Sequence, residues 1–206
     1  MAHPNRPATP AEELAAVGTE FHKRGWWVGN SGSMSVLLAR KPARLCITSA
    51  GGLSAEIEPS DLLEIDDDAE ILHGFGKPAD ETLLHLTIYR RRPRARCILF
   101  SRSVPGTVVS DRNFTDGSVS FRGYEVLKAL PGITSYDQSF SIPIIENSSD
   151  LVALSHVLDN VLHENANAHA LLIRRNGLYV WGETVEAVRK MVEVLEFLFE
   201  VAALNR

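Results

Sequence analysis

Short apolar runs closed by tight turns recur along this chain and alternate with helix-length segments, and that alternation limits the folds open to it. Residues 33–38, 44–48, 62–65, 70–72, 95–100, 140–145, 170–173 and 178–181 are of strand length and rich in Val, Ile, Leu and Phe. Three connections are too short for a crossover: Lys41-Pro42, the turn 66–68 and the turn 174–177. Strands joined so closely must run antiparallel. Between them lie helical segments. Thr9-Pro10-Ala11-Glu12 reads as a capping box with proline in the first turn, followed by Leu14, Val17 and Phe21 at helical spacing and ended by Gly25. Residues 80–89 predict a second helix, and 104–110 and 124–130 two short ones. A further helix over 150–162 is capped by Ser148 or Ser149. The last, 184–203, shows a broad apolar face of Val188, Met191, Val192, Leu195, Leu198 and Phe199. The pattern predicts an α/β domain with a mostly antiparallel central sheet.

The 206 residues suit one domain, 1–206, in which the polar, Pro-rich stretch 1–9 is a flexible lead-in without the apolar core of a secretory signal. A formal net charge of −5 makes nucleic acid and anionic membrane poor partners. The triplet Arg90-Arg91-Arg92 ends a helix, where cations are favoured, and reads as a solvated terminus. No run approaches the roughly 18 apolar residues of a membrane span. Cys46 and Cys97 lie in apolar strands and read as free thiols of a reducing compartment, the cytoplasm.

Several stretches, in order, resemble the class II aldolase/adducin family, closest to its methylthioribulose-1-phosphate dehydratase branch. They are Gly25-Trp26-Trp27-Val28-Gly29-Asn30-Ser31-Gly32, residues 47–51, Glu58-Pro59-Ser60-Asp61-Leu62 and Glu81-Thr82-Leu83-Leu84-His85. Residues 98–103, Gly123-Tyr124-Glu125, residues 142–147 and Arg174-Arg175-Asn176-Gly177-Leu178-Tyr179-Val180-Trp181-Gly182 complete the series. The resemblance implies a three-layer α/β/α fold and a homotetramer with sites between subunits. It also implies a divalent metal, held by a His-x-His pair at a strand end and a third histidine in a hairpin.

Those ligands fall at positions 100, 102 and 176, where this chain has Phe100, Arg102 and Asn176. Phe offers no lone pair, Arg is a permanent cation, and one Asn oxygen is a weak zinc donor. Asn-Gly is moreover a strong hairpin signal, since both residues tolerate positive φ. The seven histidines contain no His-x-His and no i,i+4 pair. His85 shares a helix face with Glu81 and reads as a satisfied core or interface residue. His156 and His163 read as exposed. No metal and no other cofactor are therefore expected. The family's phosphate pocket, a Ser-Gly turn followed by Lys, is here Ala50-Gly51 followed by Ser54, which removes charge-assisted contacts to a phosphate. The loop of Asn30, Ser31, Gly32 and Ser33 keeps small residues whose backbone N–H groups can face an anion.

Two carboxylates stand where the resemblance implies acid/base groups, Glu81 and Glu125. Each also opens a predicted helix, where the dipole favours Glu without any catalytic role. Arg102 has two readings, binding a carboxylate or developing oxyanion, or forming an internal ion pair with Glu81 or Glu125. Phe100 packs where the family has histidine or offers a stacking surface, and the Tyr179 hydroxyl either reaches the pocket or packs in the core. The reading that follows is a metal-independent lyase or isomerase for a small, oxygenated, non-phosphorylated substrate. Glu81, Glu125 and Arg102 would be catalytic, and Asn30, Ser31, Gly32, Phe100, Asn176 and Tyr179 would bind substrate. The alternative is a non-catalytic, adducin-like scaffold or binding module.

Overall fold

The computed structural model describes residues 6–30, 32–51 and 56–205. Nine strands form one sheet in the order β4-β3-β2-β1-β5-β9-β8-β7-β6. In chain order these are β1 (Ser35–Arg40), β2 (Ala43–Thr48), β3 (Leu62–Asp66), β4 (Ile71–His73), β5 (Cys97–Ser101), β6 (Ser118–Phe121), β7 (Phe140–Ile145), β8 (Ala170–Ile173) and β9 (Gly177–Gly182). Every pairing is antiparallel except β7 with β8, the two strands separated by a helix. The helices are α1 (Pro10–Lys23), α2 (Thr82–Arg91), α3 (Val104–Arg112), α4 (Leu151–Glu164) and α5 (Val185–Leu204).

The sheet has a core on each face, which makes three layers. Leu14, Val17 and Phe21 of α1, Val109 of α3 and the apolar face of α5 pack on one side. Leu84, Leu86 and Ile88 of α2 and Leu154, Leu158 and Leu162 of α4 pack on the other. Strand β5 shows why both faces close. Its Cys97 and Leu99 turn toward α5, while Ile98 and Phe100 turn toward α2 and α4, the two-residue alternation of a central strand.

Local chemistry sets the helix starts. Thr9 and Glu12 form the capping box of α1, with Glu12 N–H donating to Thr9 Oγ1 at 3.3 Å and Thr9 N–H donating to Glu12 Oε2 at 2.7 Å. Thr184 caps α5. The cap of α4 is Asp150, not Ser148 or Ser149: its carboxylate accepts from both Val152 and Ala153 N–H at 3.0 Å, and an anion there also meets the helix dipole.

Three further expectations need correction, and one strand, β6, was not expected. Residues 124–130 form no α-helix but a 3-10 turn, Glu125–Ala129, closed by Leu130 before Pro131-Gly132. The edge strand β6 carries a legible alternation, with Val119 and Phe121 inward, that four residues make too short to stand out. The arginines ending α2 are not merely solvated. Arg91 forks onto Asp159 of α4. Arg92 donates to the carbonyls of Leu162 and Asn165 at 3.0 and 2.7 Å and lies over the Trp181 ring, so it caps the C-terminal end of α4. Finally, the β8–β9 hairpin is not an Asn-Gly turn. Ile173 pairs with Gly177 across three residues, and the positive φ (54°) belongs to Arg175.

Candidate functional site

Positions 100, 102 and 176, far apart in sequence, meet where β5 ends beside the β8–β9 turn. Arg102 continues β5, and its backbone N–H donates to Trp26 O at 2.7 Å, which ties the strand end to the segment before Gly32. Its guanidinium grips the turn, Nε donating to Asn176 O at 2.8 Å and Nη2 to Asn176 Oδ1 at 2.7 Å. The Asn176 amide in turn donates to Asn147 Oδ1 at 3.2 Å. The turn is anchored from outside as well. Arg174 reaches Asp111 and Glu146 at 2.7 and 2.8 Å, and Arg175 N–H donates to Ser110 Oγ at 3.0 Å.

Phe100 is 1% exposed. Its ring occupies space that two glycines leave open: a Cβ on Gly32 would lie 2.2 Å from it, and one on Gly177 would lie 2.4 Å from it and 2.5 Å from Ser101 O. Gly177 is therefore glycine for close approach rather than for turn conformation. The ring of Tyr179 lies 5.0 Å from that of Phe100, and the Arg102 guanidinium lies 5.2 Å from the same ring. Phe100 thus fills the middle of the cluster, and no face of it is open for stacking.

Under this cluster runs a buried polar chain. Ser33 Oγ lies 2.7 Å from His85 Nε2, Ser35 Oγ lies 2.7 Å from His85 Nδ1, and Ser35 Oγ lies 2.9 Å from Tyr89 Oη. His85 is fully buried, and burial pushes its pKa down to about 3, so the ring is neutral. The Tyr179 ring stands edge-on to His85, centroids 5.8 Å apart. Burial first and the nearby Glu81 charge second push the Tyr179 phenol's pKa up, opposed by Ser33 and Arg102. Glu81, half-buried at the N-cap of α2, is the acid whose charge acts on the Tyr179 phenol.

The other expected residues sit differently. Glu125 is exposed and paired with Lys128 at 2.6 Å, and nothing in the described chain joins it to Arg102 or Glu81. Arg102 forms no ion pair with either glutamate; a neutral carboxamide takes its fork instead. Of Asn30 the structure describes the backbone, which closes the 3-10 turn Val28–Asn30. Ser31 and Ser54 lie outside the described residues. Tyr179 is 2% exposed. Its ring packs in the core against Phe100 and His85.

The donor set does not fit a dication. Phe100 offers nothing, Arg102 carries a fixed positive charge, and both Asn176 oxygens already accept from that guanidinium. His85 has both ring nitrogens committed to serines.

One buried acid escaped the sequence reading. Glu196, 3% exposed, lies within the apolar face of α5 and accepts from Ser101 Oγ at 2.5 Å. Ser101 directly precedes Arg102, so Glu196 ties down the strand end from behind. Its other oxygen lacks a hydrogen-bond partner among the described residues, and burial pushes its pKa up. The legible signal was its place four residues after Val192 and three before Phe199, inside the apolar stripe.

A family model described as the class II aldolase and adducin N-terminal domain matches residues 12–203. The chain belongs to the class II aldolase and adducin family. A methylthioribulose-1-phosphate dehydratase of Methylococcus capsulatus is 34% identical over 199 residues, covering 97% of this chain and 95% of its own length. One of Exiguobacterium sp. is 35% identical over 188 residues, covering 91% and 90%. Among solved structures, an L-fuculose 1-phosphate aldolase superposes with a TM-score of 0.75 at 18% identity, over 97% of this chain and 87% of its own. The L-fuculose-1-phosphate aldolase of Thermus thermophilus does so with a TM-score of 0.72 at 19% identity, over 92% and 91%. These two likenesses establish the fold, the α/β sheet flanked by helices.

Proposed function

We propose that this family member is a lyase- or isomerase-type enzyme that works without a bound dication on a small, oxygenated, non-phosphorylated substrate. The observation that carries the reading is the Arg102–Asn176 fork. At the point where the resemblance expects a metal, a guanidinium is held by two hydrogen bonds beside the Phe100 ring. A fixed cation there can stabilise an oxyanion as charge develops on a substrate carbonyl. Glu81 is the carboxylate for proton transfer at the adjacent carbon, since its charge already acts on the Tyr179 phenol of the same cluster. Glu125, exposed and paired with Lys128, is the weaker candidate. The relatives named as dehydratases support an eliminating or isomerising reaction. The Ala50-Gly51 turn, without the serine the resemblance implies, supports an unphosphorylated substrate. Exposed Val28, Val104 and Val108 border the segments that carry Trp27 and Arg102. They support a homotetramer whose neighbouring subunit completes the site.

The test is a panel of sugars, sugar acids and hydroxyketones, each with and without phosphate, assayed with chelator present for wild type and Glu81→Gln. Turnover of an unphosphorylated compound that chelator leaves intact and Glu81→Gln abolishes is expected. Turnover restored only by added metal, or unchanged in Glu81→Gln, would overturn the reading. A second reading, a non-catalytic scaffold, is favoured by Phe100 filling the space between Gly32 and Gly177. It predicts no turnover of any compound by an intact oligomer.

A further inference from the structure

A second cavity opens at the other end of the central strands. Ser101, Ile173 and Gly177 lie at the ends of β5, β8 and β9 near the Arg102–Asn176 fork, while Cys97, Ala170 and Gly182 lie at the opposite ends. At the rise of a strand the cavity is about 20 Å from the fork. Its volume is about 510 Å³, within the range of small-molecule sites. Pro93, Ala95, Pro131 and Ala168 give it apolar walls. Its charged groups are mostly of one sign, Arg91, Arg92 and Arg94 against the single carboxylate of Glu183, in a chain whose net charge is −5.

These cations are held differently. Arg91 is taken by Asp159 of α4. Arg92 bonds only to carbonyls, and no carboxylate pairs with it among the described residues, so it stands fixed and contributes charge. Arg94 meets Glu183 through Nη2 at 2.7 Å, with both side chains exposed, so an incoming anion has only a solvated partner to displace. His169 lines the same cavity, half-buried, and its ring makes no hydrogen bond among the described residues. Burial first, then Arg92 and Arg94, hold its pKa below the ordinary value; Glu183 in the cavity and Glu164 in the adjoining depression are the carboxylates near it. An anion placed there offsets the two cations and lets the ring take a proton and donate. Capping of α4 accounts for Arg92, but for neither Arg94 nor the unbonded imidazole.

We propose that this cavity binds a small organic anion, an apolar body carrying a carboxylate or phosphate, with His169 and Arg94 as its donors and Arg92 as a fixed charge behind them. The site is separate from the fork and does not rest on the reading of Glu81.

The test follows the His169 ring by NMR in protein carrying carbon-13 at histidine Cε1, with the signal assigned by its loss in His169→Gln. Benzoate, phenyl phosphate and the neutral benzyl alcohol are titrated in at constant ionic strength. A saturable shift of His169 with either anion and not with the alcohol is expected, and at saturation its titration midpoint should move to higher pH. A response to one anion alone identifies the head group. Arg94→Gln should weaken binding and Glu183→Gln tighten it, each by about fivefold, the worth of one unit charge at about 4 Å in water. Both residues are exposed, so neither variant puts the fold at risk. No saturable shift with either anion overturns the proposal, as does an equal shift with benzyl alcohol, or an affinity unchanged in both variants. None of these readouts involves turnover, so a failure here is distinguishable from a failure of the proposed function.

Discussion

Acidification should destabilise the protein through His85 well above the pH at which carboxylates protonate. The ring is neutral in the native state because burial pushes its pKa from the ordinary 6.5 to about 3. The unfolded chain therefore binds a proton near pH 6.5 that the native state refuses. Stability falls as pH drops through the unfolded value, at a limiting slope of about 1.4 kcal/mol per pH unit, and the loss is complete only below the folded value. Between pH 7.5 and 4.5 this amounts to about 3 kcal/mol, a large share of a typical domain's stability. The assay is urea unfolding of wild type and His85→Gln at half-unit steps across that range. Glutamine does not titrate, and the carboxylates are common to both proteins. The stability difference between the two should therefore shift in favour of the variant by about 3 kcal/mol on acidification. Parallel curves would refute the reasoning, because they would mean that His85 is protonated alike in both states.

Three further outcomes follow from the same geometry. Arg102→Ala leaves the Asn176 oxygens without their donor and should cost about 2 kcal/mol by thermal unfolding; Arg102→Lys, a point charge without the planar fork, should recover only part of that. Gly177→Ala should cost about 2 kcal/mol or more through contact with the Phe100 ring and Ser101 O. Phe100→Ala should relieve only part of that cost, since the carbonyl clash remains, and full relief in the double variant would contradict the packing. Glu196→Gln should raise the melting temperature by an amount that grows with pH. The native carboxyl's pKa is raised, so its charged form costs stability once pH exceeds the unfolded value and increasingly as it rises through the folded one. A difference that shrinks with pH would contradict this.

Much of the fold was legible because its determinants are local. The Thr9–Glu12 box, the Lys41-Pro42 turn and the apolar stripe of α5 each announce an element within a few residues. What escaped depends on partners distant in sequence. Arg92 caps a helix end some 70 residues away, and Glu196 meets Ser101 at the end of β5. Gly177, next to Asn176, imitates a turn signal, while its actual constraint is the Phe100 ring arriving from β5. The candidate site was legible only through the resemblance. That route marked positions 100, 102 and 176 but left open whether Arg102 would meet a carboxylate, and it took a carboxamide. The same route gave Glu81 and Glu125 equal standing, which a short ion pair to Lys128 separates.

The most direct test of the central claim is the metal content of the native protein, purified without chelator and measured by elemental analysis against protein concentration. With Phe100, Arg102 and an Asn176 already bonded to that arginine at the meeting point, zinc, manganese, iron and cobalt should all be far below one per chain. One equivalent of any of them, retained through dialysis and lost together with activity on chelation, would contradict the account.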